Sequence, residues 1–441
     1  MTPEIRYARA ADGTHVAYQV HGEGPVDILV LRAWHSNLEH DWEEPILTGV
    51  HRRLGSIGRV VRLDRRGTGL SDPLGPDELP TLEHRVDDMR AVLDAIRSER
   101  VVLFGLAQGA ALCSIFAATY PERTAGLVIW SPPWTLIGRG DKRLADSWAT
   151  AVSEQWGTEE LAREIVNGAA PSRARDSAFI EWVRQDQLAS GSAQDAATQW
   201  RLVQETNVDD ILPGIHVPTA VVWRSGAALA GPYVAGRIPN ARAIELPGED
   251  HVLISTAWRP ALAEIERFIE GAAGTEPERD CVLAAVMFTD IVASTERAAA
   301  VGDAQWRTVV DRHHAAVRRE LARHGGREID TAGDGFFAAF DAPARAIRCA
   351  LAVRDAVRSH GLELRIGVHV GECERVGSGL RGLAVHAGAR IAATAAPGEI
   401  LVSSTVKDLV AGSGITFEDA GIHVLKGIPE ERQLYRVANV T

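Results

Sequence analysis

The sequence predicts two units of different class: an α/β unit, in which helices wrap a parallel-rich sheet beneath a helical cap, followed by an α+β unit. Three observations predict this. From Val26 to about Glu270 short apolar strands alternate with helical stretches, the pattern of a sheet whose crossovers cover both faces. Residues 141–210 turn helical and rich in tryptophan, as a cap inserted over such a sheet would. At 271–280 (GAAGTEPERD) small, polar and charged residues break any apolar period, and beyond them a strand opens a different order of elements. The expected domains are 1–270, with the cap at about 141–210, and 281–441, joined by a linker at 271–280.

Length and composition agree with this division. A chain of 441 residues exceeds the about 100 to 250 residues of one ordinary domain. Its 46% hydrophobic and 24% charged residues are those of a globular protein. A net charge of −12 repels polyphosphate backbones and anionic lipid surfaces, which argues against a nucleic-acid partner. A nucleotide substrate would need cations to shield it. Cys113, Cys281, Cys349 and Cys373 lack metal-type spacing, as expected of free thiols in a reducing, cytoplasmic compartment. No apolar run approaches the about 18 residues of a membrane span.

In the first unit the strands are expected at Asp27–Leu31, Arg59–Leu63, Val101–Phe104, Ala125–Ile129 and Thr219–Trp223, with a closing helix over Pro260–Glu270. In the second, a strand at Cys281–Thr289 leads into a long helical stretch to about His324. A hairpin around Asp334, a helix at Pro343–Ser359 and a strand at Leu362–Val370 follow.

The candidate chemistry of the second unit begins with two carboxylates. In VLAAVMFTDIVAST, Asp290 closes an apolar strand ahead of a helix, where a carboxylate either caps backbone or holds a metal ion. In REIDTAGDGFFAAF, glycines around Asp334 turn two strands sharply and present that carboxylate at a hairpin tip. Hard cations such as Mg²⁺ take oxygen ligands, so two such tips that meet can hold a metal pair on a triphosphate. Taken singly, each motif reads as a helix cap or a turn residue. His313 and His314, consecutive on a helix, do not share a face and so make no metal pair.

F-T-D-I, then A-G-D-G-F, and later G-L-A-V-H-A-G-A-R-I, in this order over Val282–Val437, resemble the class III adenylyl and guanylyl cyclases. The resemblance implies an α+β class III nucleotidyl cyclase domain that converts ATP or GTP to its 3′,5′-cyclic monophosphate and pyrophosphate with two divalent ions, Mg or Mn. Carried over by position, it implies Asp290, Asp334 and the Ile291 carbonyl as metal ligands and Arg390 as the group that stabilises the transition state. His386 falls where asparagine is usual, and Lys426, in H-V-L-K-G-I-P, on the triphosphate-contacting lysine. His386 and Arg390, four apart, share one helix face. Because members of the family build their sites across a dimer interface and this chain carries both halves, the resemblance implies a homodimer. At the base-reading positions the chain has Asp330 and Gly379 where adenylyl members have lysine and aspartate. An ionised carboxylate only accepts hydrogen bonds, which suits the N1–H and NH₂ of guanine better than the N1 of adenine, a slight lean to GTP. A nucleotide-binding sensor that has lost turnover is the alternative.

The first unit resembles the α/β hydrolases through V-A-Y-Q-V-H-G-E-G-P, D-R-R-G-T-G-L-S-D-P at Asp64–Pro73 and G-E-D-H at Gly248–His251. Its elbow reads Gly105-Leu106-Ala107-Gln108-Gly109 where the family has G-x-S-x-G. A methyl group cannot attack a carbonyl, and loss of a catalytic serine costs about 10⁶-fold in such a constellation. Ala227 stands where the acid is expected, which leaves His251 as the remaining triad match; the adjacent Asp250 is poorly placed to orient it. The serine hydrolase or esterase reading is thereby disfavoured. Either the unit is a retained scaffold, or its pocket under the cap still takes a small apolar ligand and biases the cyclase.

Overall fold

The computed structural model describes residues 2–74, 79–227, 230–272, 281–377, 379–428 and 431–440. The chain divides into two compact units, Met1–Arg279 and Asp280–Thr441. Most of the expected linker, 273–280, lies outside the described residues. Its first two residues, Gly271 and Ala272, continue the preceding helix instead, because Ala272 is buried against the sheet core.

The strands of the first unit are β1 (Arg6–Arg9), β2 (His15–His21), β3 (Asp27–Leu31), β4 (Arg59–Leu63), β5 (Val101–Leu106), β6 (Thr124–Trp130), β7 (Thr219–Arg224) and β8 (Arg242–Leu246). They form one sheet in the order β1-β2-β4-β3-β5-β6-β7-β8. Pairing is antiparallel from β1 to β4 by way of β2 and parallel from β4 onward. The continuous apolar runs of the central strands follow from helices on both faces, and β6 is buried along its whole length. The surrounding helices are α1 (Pro45–Leu54), α2 (Leu82–Ala95) and α3 (Gly109–Thr119). Between β6 and β7 lie the four cap helices α4 (Lys142–Gln155), α5 (Glu159–Ala169), α6 (Ser177–Ser190) and α7 (Ala193–Gln204). Helices α8 (Gly231–Arg237) and α9 (Trp258–Ala272) complete the unit. The cap tryptophans pack together: Trp148, Trp156 and Trp200 gather with Trp34 around Val152 and Val203. This is the α/β-hydrolase fold with its helical cap.

The second unit opens with β9 (Cys281–Ile291), α10 (Ser294–Val301) and α11 (Asp303–His324). The hairpin β10 (Arg327–Ala332) and β11 (Gly335–Phe340) follows, then α12 (Pro343–Arg358) and β12 (Leu364–Val376). The chain ends with β13 (Gly379–Arg381), α13 (Leu383–Thr394), β14 (Ile400–Ser403), α14 (Ser404–Leu409), β15 (Ile415–Val424) and β16 (Glu431–Val440). The sheet order is β10-β11-β9-β12-β14-β16-β15, with β13 paired to β12. Helix α13 lies close on β12 because Gly367 leaves room for it: a Cβ there would collide with the backbone nitrogen of Ala392. No helix among the described residues is long and apolar enough to cross a membrane.

Candidate functional site

Strand β9 and the β10–β11 hairpin bring the two aspartates together. The register pairs Phe336 with Thr289 and Phe337 with Phe288, and the two phenylalanine rings stack at 4.5 Å between centroids. The turn at Gly333 and Asp334 therefore sits beside the end of β9. Asp334 Oδ2 accepts a hydrogen bond from the Ile291 amide at 3.1 Å. Partial burial raises the pKa of Asp290, and the Asp334 carboxylate raises it further, with Arg365 opposing. Arg365 faces Asp290 across the β9–β12 pair. The Asp334 carboxylate and the Arg365 guanidinium thus act on Asp290 in opposite senses, and carboxylate oxygens gather at this end of β9. Such a donor set fits divalent cations.

Two residues that the sequence reading set aside belong to this site. His313 Nε2 lies 3.1 Å from the Asp334 carbonyl, and His314 Nε2 lies 3.0 Å from the Gly333 carbonyl. Burial lowers the His313 pKa to about 4. Its ring is therefore neutral near physiological pH, and the proton on Nε2 donates to the carbonyl. Although consecutive on the helix, the two rings lie 5.8 Å apart between centroids and both meet Phe336 edge-on. They bond successive carbonyls of the facing turn, which only the tertiary structure reveals.

The other candidates lie on surfaces of the same unit. His386 and Arg390 project side by side from α13 and are exposed. On that same face Leu383 is 53% exposed, and Val376, near β13, is 40% exposed. Asp330 is exposed on β10, next to a register shift between Glu328 and Asp330. Its Oδ1 accepts from the Thr331 amide at 2.8 Å. Gly379 opens β13 opposite Val376, and Lys426 is exposed in the turn after β15.

In the first unit the elbow keeps its shape without its nucleophile. Ala107 sits between β5 and α3 at φ 49°, the left-handed region that costs a non-glycine residue about 1 kcal/mol or more. Gly109 lets α3 approach β3, since a Cβ there would meet the Leu31 carbonyl. His251 is partly buried, which lowers its pKa. Asp250 Oδ1 is engaged by the Ser172 amide at 2.9 Å, and Ala227 is buried in the loop after β7.

Comparison with known proteins matches residues 276–439 to the adenylate and guanylate cyclase catalytic domain and residues 53–223 to the serine aminopeptidase S33 family. "Putative adenylate cyclase 3" of Rhizobium meliloti (strain 1021) is 34% identical over 114 residues, 24% of this chain and 19% of that protein. Serine hydrolase BPHL of Homo sapiens is 32% identical over 124 residues, 27% of this chain and 40% of that protein. The matched stretches thus span less than half of either relative. The enol-lactonase of Burkholderia xenovorans LB400 superposes with a TM-score of 0.52 at 21% identity, over 60% of this chain and 100% of that one, and shares the fold of the first unit. The chain joins an α/β-hydrolase domain to a class III adenylyl and guanylyl cyclase catalytic domain.

Proposed function

We propose that this protein is a nucleotidyl cyclase that converts a purine nucleoside triphosphate to its 3′,5′-cyclic monophosphate at a homodimer interface, and that its hydrolase-type domain is catalytically inactive. The observation that carries this reading is the meeting of Asp334 with the end of β9, next to Asp290. Asp290, Asp334 and the Ile291 carbonyl would hold two divalent ions, Mg or Mn, whose chemistry is to acidify the ribose 3′-hydroxyl and neutralise the departing pyrophosphate. Arg390 offers a guanidinium fork to the α-phosphoryl oxygens, most strongly as charge builds on them. His386 supports it from one turn earlier on the same face, and Lys426 adds a point charge for the triphosphate. Asp330 accepts from the base edge beside Gly379, a pairing that favours GTP over ATP.

The exposure of Leu383 and Val376 around the catalytic face supports the dimer, since exposed apolar side chains beside a half-site are what a second copy would cover. The chain is incubated with each of the four triphosphates and Mn²⁺ or Mg²⁺, and cyclic products are identified by mass. A cyclic purine nucleotide is expected from the wild type and none from Asp290→Ala or Asp334→Ala. Asp330→Lys with Gly379→Asp should shift preference toward ATP. Absence of any cyclic product with all four triphosphates rejects the reading in favour of a nucleotide sensor.

A further inference from the structure

The bulge in β10 decides which face of the hairpin Asp330 occupies. Residues two apart on a regular strand share a face, and by that rule Glu328 and Asp330 would lie side by side. They do not, because Glu328 pairs with Ala338 and Asp330 with Phe337, with Ile329 as the extra residue between them. Glu328 and Thr331, opposite Ala338 and Phe336, take the face covered by α11, where Arg318 lies 5.7 Å over the Phe336 ring. Asp330 goes with Phe337 to the other face, where Phe337, Phe288, Ile329 and Leu380 pack together. Gly379 adjoins Leu380 on β13.

A chain of hydrogen bonds from α11 fixes the bulge. Arg318 Nε and Nη2 donate to the two oxygens of Glu328, each at 2.8 Å. This fork, with the Thr331 hydroxyl, holds the Glu328 carboxyl down at about 2, so the acid is ionised at neutral pH. Glu328 Oε1 also accepts from Thr331 Oγ1 at 2.7 Å, and the Thr331 amide donates to Asp330 Oδ1 at 2.8 Å. Residues on both sides of Ile329 are thereby tied to one carboxylate, and the last link orients Asp330. Its Oδ2 has no partner among the described residues and is left to accept from a ligand. A lone exposed ion pair contributes little, but a bidentate one that also anchors a second side chain fixes geometry.

We propose that this locked bulge is the base-selecting element of the nucleotide site, with Asp330 meeting the base and Arg318, Glu328 and Thr331 as positioning residues that orient it. This rests on Asp330 and Gly379 being the base-facing pair. Base preference then depends on an α11 side chain that itself touches no nucleotide. Loosening the chain frees Asp330 to turn toward water, which weakens the preferred base and leaves the phosphate contacts, common to every triphosphate, as they were.

Binding of 3′-deoxy-GTP and 3′-deoxy-ATP, which lack the attacking hydroxyl, is measured calorimetrically on the full chain with Mn²⁺, so the result does not depend on turnover. The wild type should bind the guanine nucleotide more tightly, and Asp330→Ala should bring the ratio of the two Kd values close to one. Arg318→Ala and Glu328→Ala should each narrow that ratio about threefold, through weaker binding of the guanine nucleotide alone. Thr331→Ser, which keeps the hydroxyl, should retain the wild-type ratio. If Asp330→Ala changes the ratio while Arg318→Ala and Glu328→Ala leave it unmoved, the positioning chain is overturned and the base-facing role of Asp330 stands. Equal weakening of both nucleotides in those two variants also overturns it, by assigning the chain to folding alone. If Asp330→Ala keeps the wild-type ratio, or the wild type binds neither nucleotide, the base-facing pair falls and the proposal falls with it.

Discussion

Asp290 is held at a cost that a bound cation would remove. Its pKa is raised by burial and by Asp334, so the folded chain binds this proton more readily than the unfolded chain does. Its contribution to stability is therefore fully present below the unfolded pKa and lost as pH rises through the folded one. Asp290→Asn should accordingly raise Tm at neutral pH without divalent ions, by an amount that shrinks toward about pH 4. Saturating Mn²⁺ should stabilise the wild type and leave the variant nearly unmoved. Equal melting temperatures for the two chains at neutral pH, or no response of the wild type to Mn²⁺, would show that the carboxylates do not repel as described. Ala107 makes the converse case. Its φ of 49° already has the strained elbow shape, so Ala107→Ser restores a hydroxyl without rebuilding the backbone. Yet among the described residues no carboxylate is hydrogen-bonded to His251, and Asp250 Oδ1 is taken by the Ser172 amide. Release of p-nitrophenol from short-chain esters by Ala107→Ser should stay at background, and a clear rate would mean that an acid has been overlooked. These residue identities were legible because each lies in a contiguous motif. The charge balance at Asp290 was not, since Arg365 reaches it only through the pairing of β12 with β9.

At the scale of elements, the β10–β11 hairpin carries one carboxylate and leans on α11 for its position. His313 and His314 fix the carbonyls of Asp334 and Gly333, so the turn cannot swing without breaking both bonds. His314→Ala should raise the Mn²⁺ concentration for half-maximal cyclase activity about tenfold, the usual effect of removing a group that orients a metal ligand. Activity at saturating Mn²⁺ should stay close to that of the wild type, and His314→Gln, which keeps an N–H, should recover most of the metal affinity. A fall in maximal rate with unchanged Mn²⁺ dependence would assign the ring to folding alone. Sequence period and turn chemistry foretold β3 to β7, β9, the hairpin, β12 and a helical stretch ending at His324, but not β1, β2, β8 or β13 to β16, nor the break of that stretch into α10 and α11 at Gly302. They could not foretell this contact, because helical spacing says which residues share a face of α11 and nothing about the turn opposite. The shift in β10 between Glu328 and Asp330 was equally invisible: a bulge depends on the partner strand. The Gly271-Ala272 pair read as a linker for its small residues, but the burial of Ala272 keeps it in α9.

At the scale of the whole molecule, the groups proposed for catalysis stand on different elements of the second unit. The carboxylates stand at the end of β9, while His386 and Arg390 stand on the outer face of α13 with Leu383 open beside them. If two copies pair so that each α13 face completes the partner's carboxylate site, a chain that lacks Asp290 and a chain that lacks Arg390 are each inactive alone for different reasons. Mixed, they form three species, and in the heterodimer one of the two sites combines an intact carboxylate pair from one chain with an intact arginine from the other. With random pairing half the dimers are heterodimers with one working site each, so an equimolar mixture of Asp290→Ala and Arg390→Ala should recover roughly a quarter of wild-type activity. Recovery should fall when the mixture is diluted below the dimer dissociation constant, whereas the inactive parents stay flat at all concentrations. If the carboxylates and the arginine instead serve the same site from one chain, no mixing ratio restores product, and the exposed face of α13 needs another explanation.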